Sequence, residues 1–485
     1  MVSNIDFAVL ILYLVLMLFI GFYSSKKIKN SDDYVLAGRK LGYIMTVGTL
    51  VATMIGASAT MGKAGMASQK GIAMAWSGIA IAIGYLCFSL FANKLRLSGN
   101  WYIPDVLEKR YGKNIKTFSS VIITLAVIAV YGAQLIAMGI IFNLAGNPLG
   151  ISYQESIIIA GIILVLYTFI GGLFAVAYTD LIQILIILPL VGIILPAVVF
   201  GDKISLSQLS ASLDPIMFDF WGGLPVLFIV GIILTFAPGV IIDQTIWQRA
   251  MSSKDANVAK WSPIISAGLY VFYTFAVVLI GMAAVVLMPD LLGGNASKDA
   301  VIPKMIIDYL PNGLVGLGLT ALLAVAMSTA SGSLLIAGVC LTKDILPPII
   351  KKTLTPSESL KLTRISILAV GLIGIAFALS FTGLFSIMML AYAIFVSTLF
   401  FPIMFALFWK KATRVGAFWS ILISVLVLFT LYGIGKPFGI EPIIPVLFLN
   451  LVIMVSLSLI TYKPELATQP ILNGNELKIT EKECF

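Results

Sequence analysis

The sequence predicts an all-α polytopic membrane protein of about thirteen transmembrane helices. Three observations carry this expectation. Of 485 residues, 60% are hydrophobic and 11% charged, far from the balance of soluble globular domains. Apolar runs of roughly 20 residues recur along the whole chain, and each is long enough to cross a bilayer as a helix. The runs are continuous rather than alternating, which argues against a closed barrel.

The elements follow in order. Span 1, 5–25, lacks a basic start and a small-residue cleavage site, and Lys26 and Lys27 follow it directly, so it reads as a retained span rather than a signal peptide. Span 2, 42–68, is apolar but holds Gly48, Gly56, Gly62 and Gly65. Its stretch VATMIGASATMGKAG, 51–65, adds hydroxyls and Lys63. Spans 3 to 6 are placed at 71–93, 117–143, 153–171 and 174–200. Between spans 3 and 4, NWYIPDVLEKRYG reads as a short amphipathic helix on the cytoplasmic side. Span 7, 223–248, carries Pro238-Gly239 within TFAPGVIIDQ. Spans 8 to 13 are placed at 262–288, 312–341, 362–383, 386–409, 416–434 and 441–462, with an outside loop at 289–311 and a polar tail after Pro464.

Charge sets the orientation. Lys26, Lys27, Lys29, Arg39 and Lys40, then Lys94, Arg96, Lys109, Arg110, Lys113 and Lys116, then Arg249, Lys254 and Lys260 fall in alternate loops. So do Lys343, Lys351, Lys352, Lys361 and Arg364, and Lys410, Lys411 and Arg414. The positive-inside bias then places these loops in the cytoplasm, the N-terminus outside and the C-terminus inside. The net charge of +9 therefore reflects topology, not a nucleic-acid surface. Three cysteines without a CxxC pair support neither zinc nor a disulfide framework. The absence of histidine removes most metal and general-base chemistry. No enzyme constellation and no cofactor are expected.

Five spans lie between 42 and 200 and five between 223 and 409, each set opening on an interrupted helix. Paired interruptions in two halves point to an inverted-repeat transporter with its site at the breaks. The chain divides accordingly into a leading helix and loop (1–41), a first repeat (42–201), an inverted second repeat (223–410), two accessory helices (411–462) and a tail (463–485).

Four motifs in order sharpen this: DYVLAGRKLG (33–42), GGLFAVAYTDLIQ (171–183), IWQRAMSSKD (246–255) and AVAMSTASGS (324–333). Together they resemble the sodium:solute symporter family, whose fold is the LeuT-like five-plus-five inverted repeat with one helix before it and two or more after. The resemblance implies sodium as coupling ion. Its ligands would be the carbonyls of Ala52 and Ile55 in the unwound span 2, the carbonyl of Val325, and the hydroxyls of Ser328 and Thr329. It also implies a second ion site at Asp180 and Ser331, although Gly332 stands where a further hydroxyl is expected. Asp180 otherwise acts electrostatically on the ion pathway or pairs with a lysine or a helix end.

The solute is expected between spans 2, 3, 4 and 7, lined by Ser58, Ala59, Thr60, Trp76, Tyr131, Gln134, Phe236 and Gly239. Sugar-transporting relatives carry polar groups where this chain has Ala59, Gly78 and Phe236, so a sugar is disfavoured. An amino acid, carboxylate, vitamin or amine fits better, with Trp76, Tyr131 and Phe236 either a cation cage or core packing. Lys63, about 10 Å along the half-helix beyond the break, is expected to snorkel to the outer surface; attraction of an anionic solute is the alternative. Asp243 lies either on the inner exit path or at the cytoplasmic interface with Arg249. The function expected is sodium-coupled symport of a small organic solute across the plasma membrane. The alternatives are proton coupling, in which Asp180 and Asp243 titrate, and a channel or sensor.

Overall fold

The computed structural model describes residues 2–25, 36–100, 102–146, 150–293, 298–351, 355–381, 383–435, 439–464 and 470–472. Lys26, Lys27, Lys29, the start of the first motif and most of the tail lie outside the described residues. Among the described residues ten helices are long and apolar enough to cross a membrane, and Asn4–Met17, Tyr43–Met54 and Tyr153–Leu166 form shorter apolar helices.

The helices follow the apolar runs because a backbone without water must satisfy itself internally. In chain order they are α1 (Asn4–Ser25), α2 (Tyr43–Met54), α3 (Lys63–Lys70), α4 (Ala75–Leu97), α5 (Ile103–Tyr111), α6 (Lys113–Gly146) and α7 (Tyr153–Pro189). They continue as α8 (Val226–Ile242), α9 (Gln244–Met251), α10 (Ala256–Leu287), α11 (Leu314–Cys340), α12 (Pro356–Ser380), α13 (Leu384–Phe408), α14 (Arg414–Gly433) and α15 (Ile443–Thr461). Polar side chains cap the ends where the chain leaves apolar surroundings. Ser152 and Glu155 form a reciprocal box at the start of α7, and Asp255 caps α10.

Two elements differ from the sequence expectation. Spans 5 and 6 form one helical run without the gap expected at 171–174. Its neighbours nevertheless reverse. Ile157 lies against Gly139 and Val165 against Gly371, whereas Asp180 meets Ser328 and Leu190 meets Gly318. The two ends of the run, 157–165 and 180–190, therefore pack on different helices.

The second interruption lies at Asp243 and not at Pro238-Gly239. Helix α8 runs through Pro238 to Ile242, and Asp243 is extended with φ −67° and ψ 120°. The break falls where a side chain can start a new helix. One Asp243 oxygen accepts from the Thr245 amide at 2.7 Å, the Ile246 amide at 3.2 Å and the Thr245 hydroxyl. Gly239 instead makes room for a ring, since a Cβ there would lie 2.4 Å from Tyr392 Cδ1.

The loops segregate by charge. Leu41 pairs with the 252–254 turn, Arg39 donates to the Gly99 carbonyl, and Arg96 donates to the Ser253 carbonyl. Arg110 donates to the carbonyls of Trp409, Lys410 and Ala412, and Lys116 lies 3.4 Å from Asp344. The basic loops therefore meet at one end of the molecule. At the other end, the Asp6 carboxylate accepts from Gly313 N at 2.9 Å and Gly316 N at 2.7 Å, fixing α1 to the start of α11. Asp6→Ala should leave the buried Gly316 amide and the half-buried Gly313 amide without their acceptor and cost about 1–3 kcal/mol each at most. Thermal unfolding in detergent checks this; an unchanged midpoint would contradict the anchoring role.

Candidate functional site

The site begins with a hole in the hydrogen-bond ladder of span 2. The last bond of α2 runs from Ile55 N to Val51 O at 2.9 Å. The next in register runs from Thr60 N to Gly56 O at 3.1 Å. Between them the carbonyls of Ala52, Thr53, Met54 and Ile55 accept no helical backbone bond. A π-turn, Ser58–Gly62, then restarts the helix. This is the unwinding expected near Ile55-Gly56-Ala57.

Neighbouring helices fill part of the gap. Gln134 of α6 accepts from Ala57 N at 2.8 Å. Thr329 of α11 donates to the Thr53 carbonyl at 3.0 Å and lies 3.4 Å from the Val325 carbonyl. A Cβ at Gly56 would sit 2.9 Å from Thr329 Oγ1. The break and the 325–329 turn of α11 are thus in contact.

The hydroxyl chemistry is specific. Ser328 donates its proton to Asp180 Oδ1 at 2.7 Å, and Thr329 donates to a carbonyl. A hydroxyl has one proton and two lone pairs. Both oxygens therefore keep lone pairs for a cation, and Ser328 gains electron density from the carboxylate. Oxygen donors of this kind suit a hard monovalent ion.

Behind them lies a closed ion-pair cluster. Asp180 Oδ2 lies 3.3 Å from Arg249 Nη2, with both side chains fully buried. Thr49 donates to the same oxygen at 2.5 Å, and Arg249 Nε donates to Thr49 at 2.9 Å. A Cβ at Gly332 would stand 3.1 Å from the guanidinium, so the missing hydroxyl at this position leaves the space that Arg249 fills. Ser331, expected beside Asp180, donates to the Ser328 carbonyl at 3.1 Å instead. Arg249 is not at the interface beside Asp243, as one reading of the sequence had it. Nothing in the sequence marks this partner, because it lies 69 residues from Asp180 on another helix.

A cavity extends from the break along α13. Phe385, Met388, Tyr392, Phe395, Leu399 and Ile403 form one wall at helical spacing. Of the expected solute residues, Ser58, Ala59 and Phe236 line it; Thr60, Trp76, Tyr131, Gln134 and Gly239 do not. Thr60 faces Tyr273 at 2.9 Å, and Trp76 donates to the Phe220 carbonyl in a loop and packs on Trp221. The Tyr131 ring fills the space beside Gly374, so the three aromatics form no cage. The residues the sequence did not offer, Tyr270 and Tyr392, line the cavity beside Lys63 and Asp243. Lys63 is 1% exposed and does not snorkel.

A broken helix meeting an unbroken one beside a cavity is the arrangement of a secondary transporter with the LeuT-like fold. The fold is shared with solved structures of a Na⁺-coupled sialic acid symporter (TM-score 0.78, 20% identity, 96% of this chain and 99% of that one). It is also shared with MhsT in complex with L-phenylalanine (TM-score 0.57, 16% identity, 86% and 99%). The model of the sodium:solute symporter family matches residues 34–424, and the chain belongs to that family. Similar curated proteins include the high-affinity proline transporter PutP of Bacillus subtilis, 28% identical over 94% of this chain and 98% of that protein. The sodium/proline symporter of Escherichia coli is 26% identical over 94% and 93%. The protein is a sodium-coupled symporter of a small solute.

The buried pair gives a test. Arg249→Met strands the Asp180 carboxylate and should destabilise the fold by about 3–5 kcal/mol. Adding Asp180→Asn should recover part of that loss in thermal unfolding. A double variant as unstable as the sum of the singles would contradict direct pairing.

Proposed function

We propose that one sodium ion binds where α2 breaks against α11, held by the carbonyls of Ala52, Ile55 and Val325 and the hydroxyls of Ser328 and Thr329. The observation that carries this is the stretch of released carbonyls at 52–55, one of which, Thr53, accepts from the Thr329 hydroxyl, beside Ser328, whose proton is donated to Asp180. Unpaired carbonyls in an apolar interior cost several kcal/mol each, and a cation offsets that cost. Asp180 acts as a positioning residue through Ser328. The Arg249 guanidinium beside Asp180 supports a single sodium, since a tethered cation already neutralises the carboxylate of the expected second site.

The solute occupies the cavity between the break and α13. The relatives named for proline transport favour an amino acid or a carboxylate over a sugar, as do the apolar walls. The cavity's Lys63 end is sealed by Ser58 donating to the Leu384 carbonyl at 3.1 Å, by Asp299 accepting from Leu384 N at 3.0 Å, and by Phe236 packed on Phe385. With the basic loops in the cytoplasm, this seal faces outward and the Ile403 end faces inward, in a plasma membrane with the N-terminus outside. The repeats 42–201 and 223–410 then rock against each other to open one end at a time. Sodium binding orders the break and so raises solute affinity, and solute raises sodium affinity by the same factor.

Ser328→Ala and Thr329→Ala should each raise the sodium concentration for half-maximal uptake at least about tenfold, the loss of a hydrogen-bonding ligand worth ~1.5 kcal/mol. Sodium dependence in proteoliposomes should fit a Hill coefficient near one. An unchanged sodium dependence in both variants removes these hydroxyls from the site, and a coefficient near two restores a second ion.

A further inference from the structure

Among the described residues that line the cavity, Lys63 is the one cationic side chain. Its Nζ donates to Thr274 Oγ1 at 3.0 Å and lies 5.0 Å from the centre of the Tyr270 ring. No carboxylate of the described residues lies within ion-pair distance of it. An ammonium has three donors, so a hydroxyl and a ring face leave it under-compensated. Buried charges in membrane proteins are paired, or they serve a ligand.

The surroundings say which ligand. The hydroxyl of Tyr270, one turn from Thr274 on α10, is buried with no hydrogen-bond partner and lines the same cavity. A buried hydroxyl left unpaired costs about 1–3 kcal/mol. The nearest acidic group of the cavity, Asp243, is engaged elsewhere: one oxygen caps α9 and the other lies 3.5 Å from the Tyr392 hydroxyl. Around these donors the walls are apolar, with Phe236, Phe385, Met388 and Tyr392 stacked along one side. The site thus offers a cation and a spare O–H donor at one end of an otherwise hydrophobic chamber.

We propose that Lys63 is the solute-binding counter-ion, and that the transported solute is a small organic carboxylate whose COO⁻ pairs with the Lys63 ammonium while its apolar body lies against Phe236 and Phe385. Tyr270 supplies the further donor to the carboxylate. This rests on the symport reading above and narrows its solute class. Binding then removes an uncompensated buried charge, so the gain comes from both partners and is lost when either is neutral. A neutral amide of the same shape keeps the apolar contacts but leaves the ammonium unpaired.

Thermal stabilisation of the purified protein in detergent separates the possibilities. The probes are L-proline, butyrate and benzoate, each against its own amide, in sodium and in potassium. At least one acid should stabilise the wild type in sodium, its amide should do so at least about tenfold more weakly, and Lys63→Met should lose acid binding by at least tenfold. Lys63→Arg should retain part of it, and the shift caused by sodium alone should persist in both variants, showing that they are folded. An amide that binds as well as its acid overturns the proposal. So does Lys63→Met with undiminished acid binding, or a wild type stabilised by sodium and by none of the acids. Acid binding without any sodium effect would instead sink the sodium site and leave the Lys63 assignment standing.

Discussion

Four backbone carbonyls, released from their helix at residues 52–55, are the constraint around which this molecule is arranged. In water such a gap would be trivial. In a bilayer each carbonyl must find a donor or a cation. The fold answers in two ways: Gln134 takes the amide freed at Ala57, and Thr329 takes the Thr53 carbonyl. The break is therefore not a flaw in span 2 but the part of the chain that makes a cation useful.

The two interruptions are chemically unlike. The break at Asp243 is self-capped, because the aspartate closes the start of α9 and the Trp247 indole donates to the Ile241 carbonyl at 2.8 Å. It needs nothing from outside the chain. The break at Ile55-Gly56 has no such side chain of its own and depends on α6 and α11. The proposed sodium site at the first break rests on this asymmetry, while the second break lines the cavity. The Asp180–Arg249 cluster sits behind both, joining α2, α7, α9 and α11 through Thr49 and Ser328. It turns the Ser328 hydroxyl proton toward Asp180, the orientation that the proposed ion site uses.

Much of this was legible in the sequence. Helical spans follow from apolar run length, and the first break from three glycines and two threonines within 51–65, a stretch that should otherwise be aliphatic. The motif at 324–333 marked the hydroxyls that meet it. What was not legible depended on tertiary partners. Pro238-Gly239 looked like the second break, yet a buried helix tolerates that proline, and Gly239 serves the Tyr392 ring. Lys63 looked able to reach water, yet the 298–299 turn and the start of α13 pack over the half-helix that carries it: a Cβ at Gly65 would meet the Lys298 carbonyl at 2.6 Å. Arg249 in IWQRAMSSKD gave no hint that it would run inward to Asp180. Trp76, Tyr131 and Gln134 have the chemistry of a binding site, but chemical type alone does not say which face of a helix meets a cavity.

The central claim is that sodium couples the break in α2 to the 325–329 turn of α11. Hydrogen–deuterium exchange of the full-length protein in sodium and in potassium, without solute, tests it most directly. The account predicts slower exchange in sodium for peptides covering both 51–60 and 325–333, with little change in α14 and α15. Exchange that is unaltered in both segments, or slowed in one and not the other, would contradict a single ion bridging the two helices.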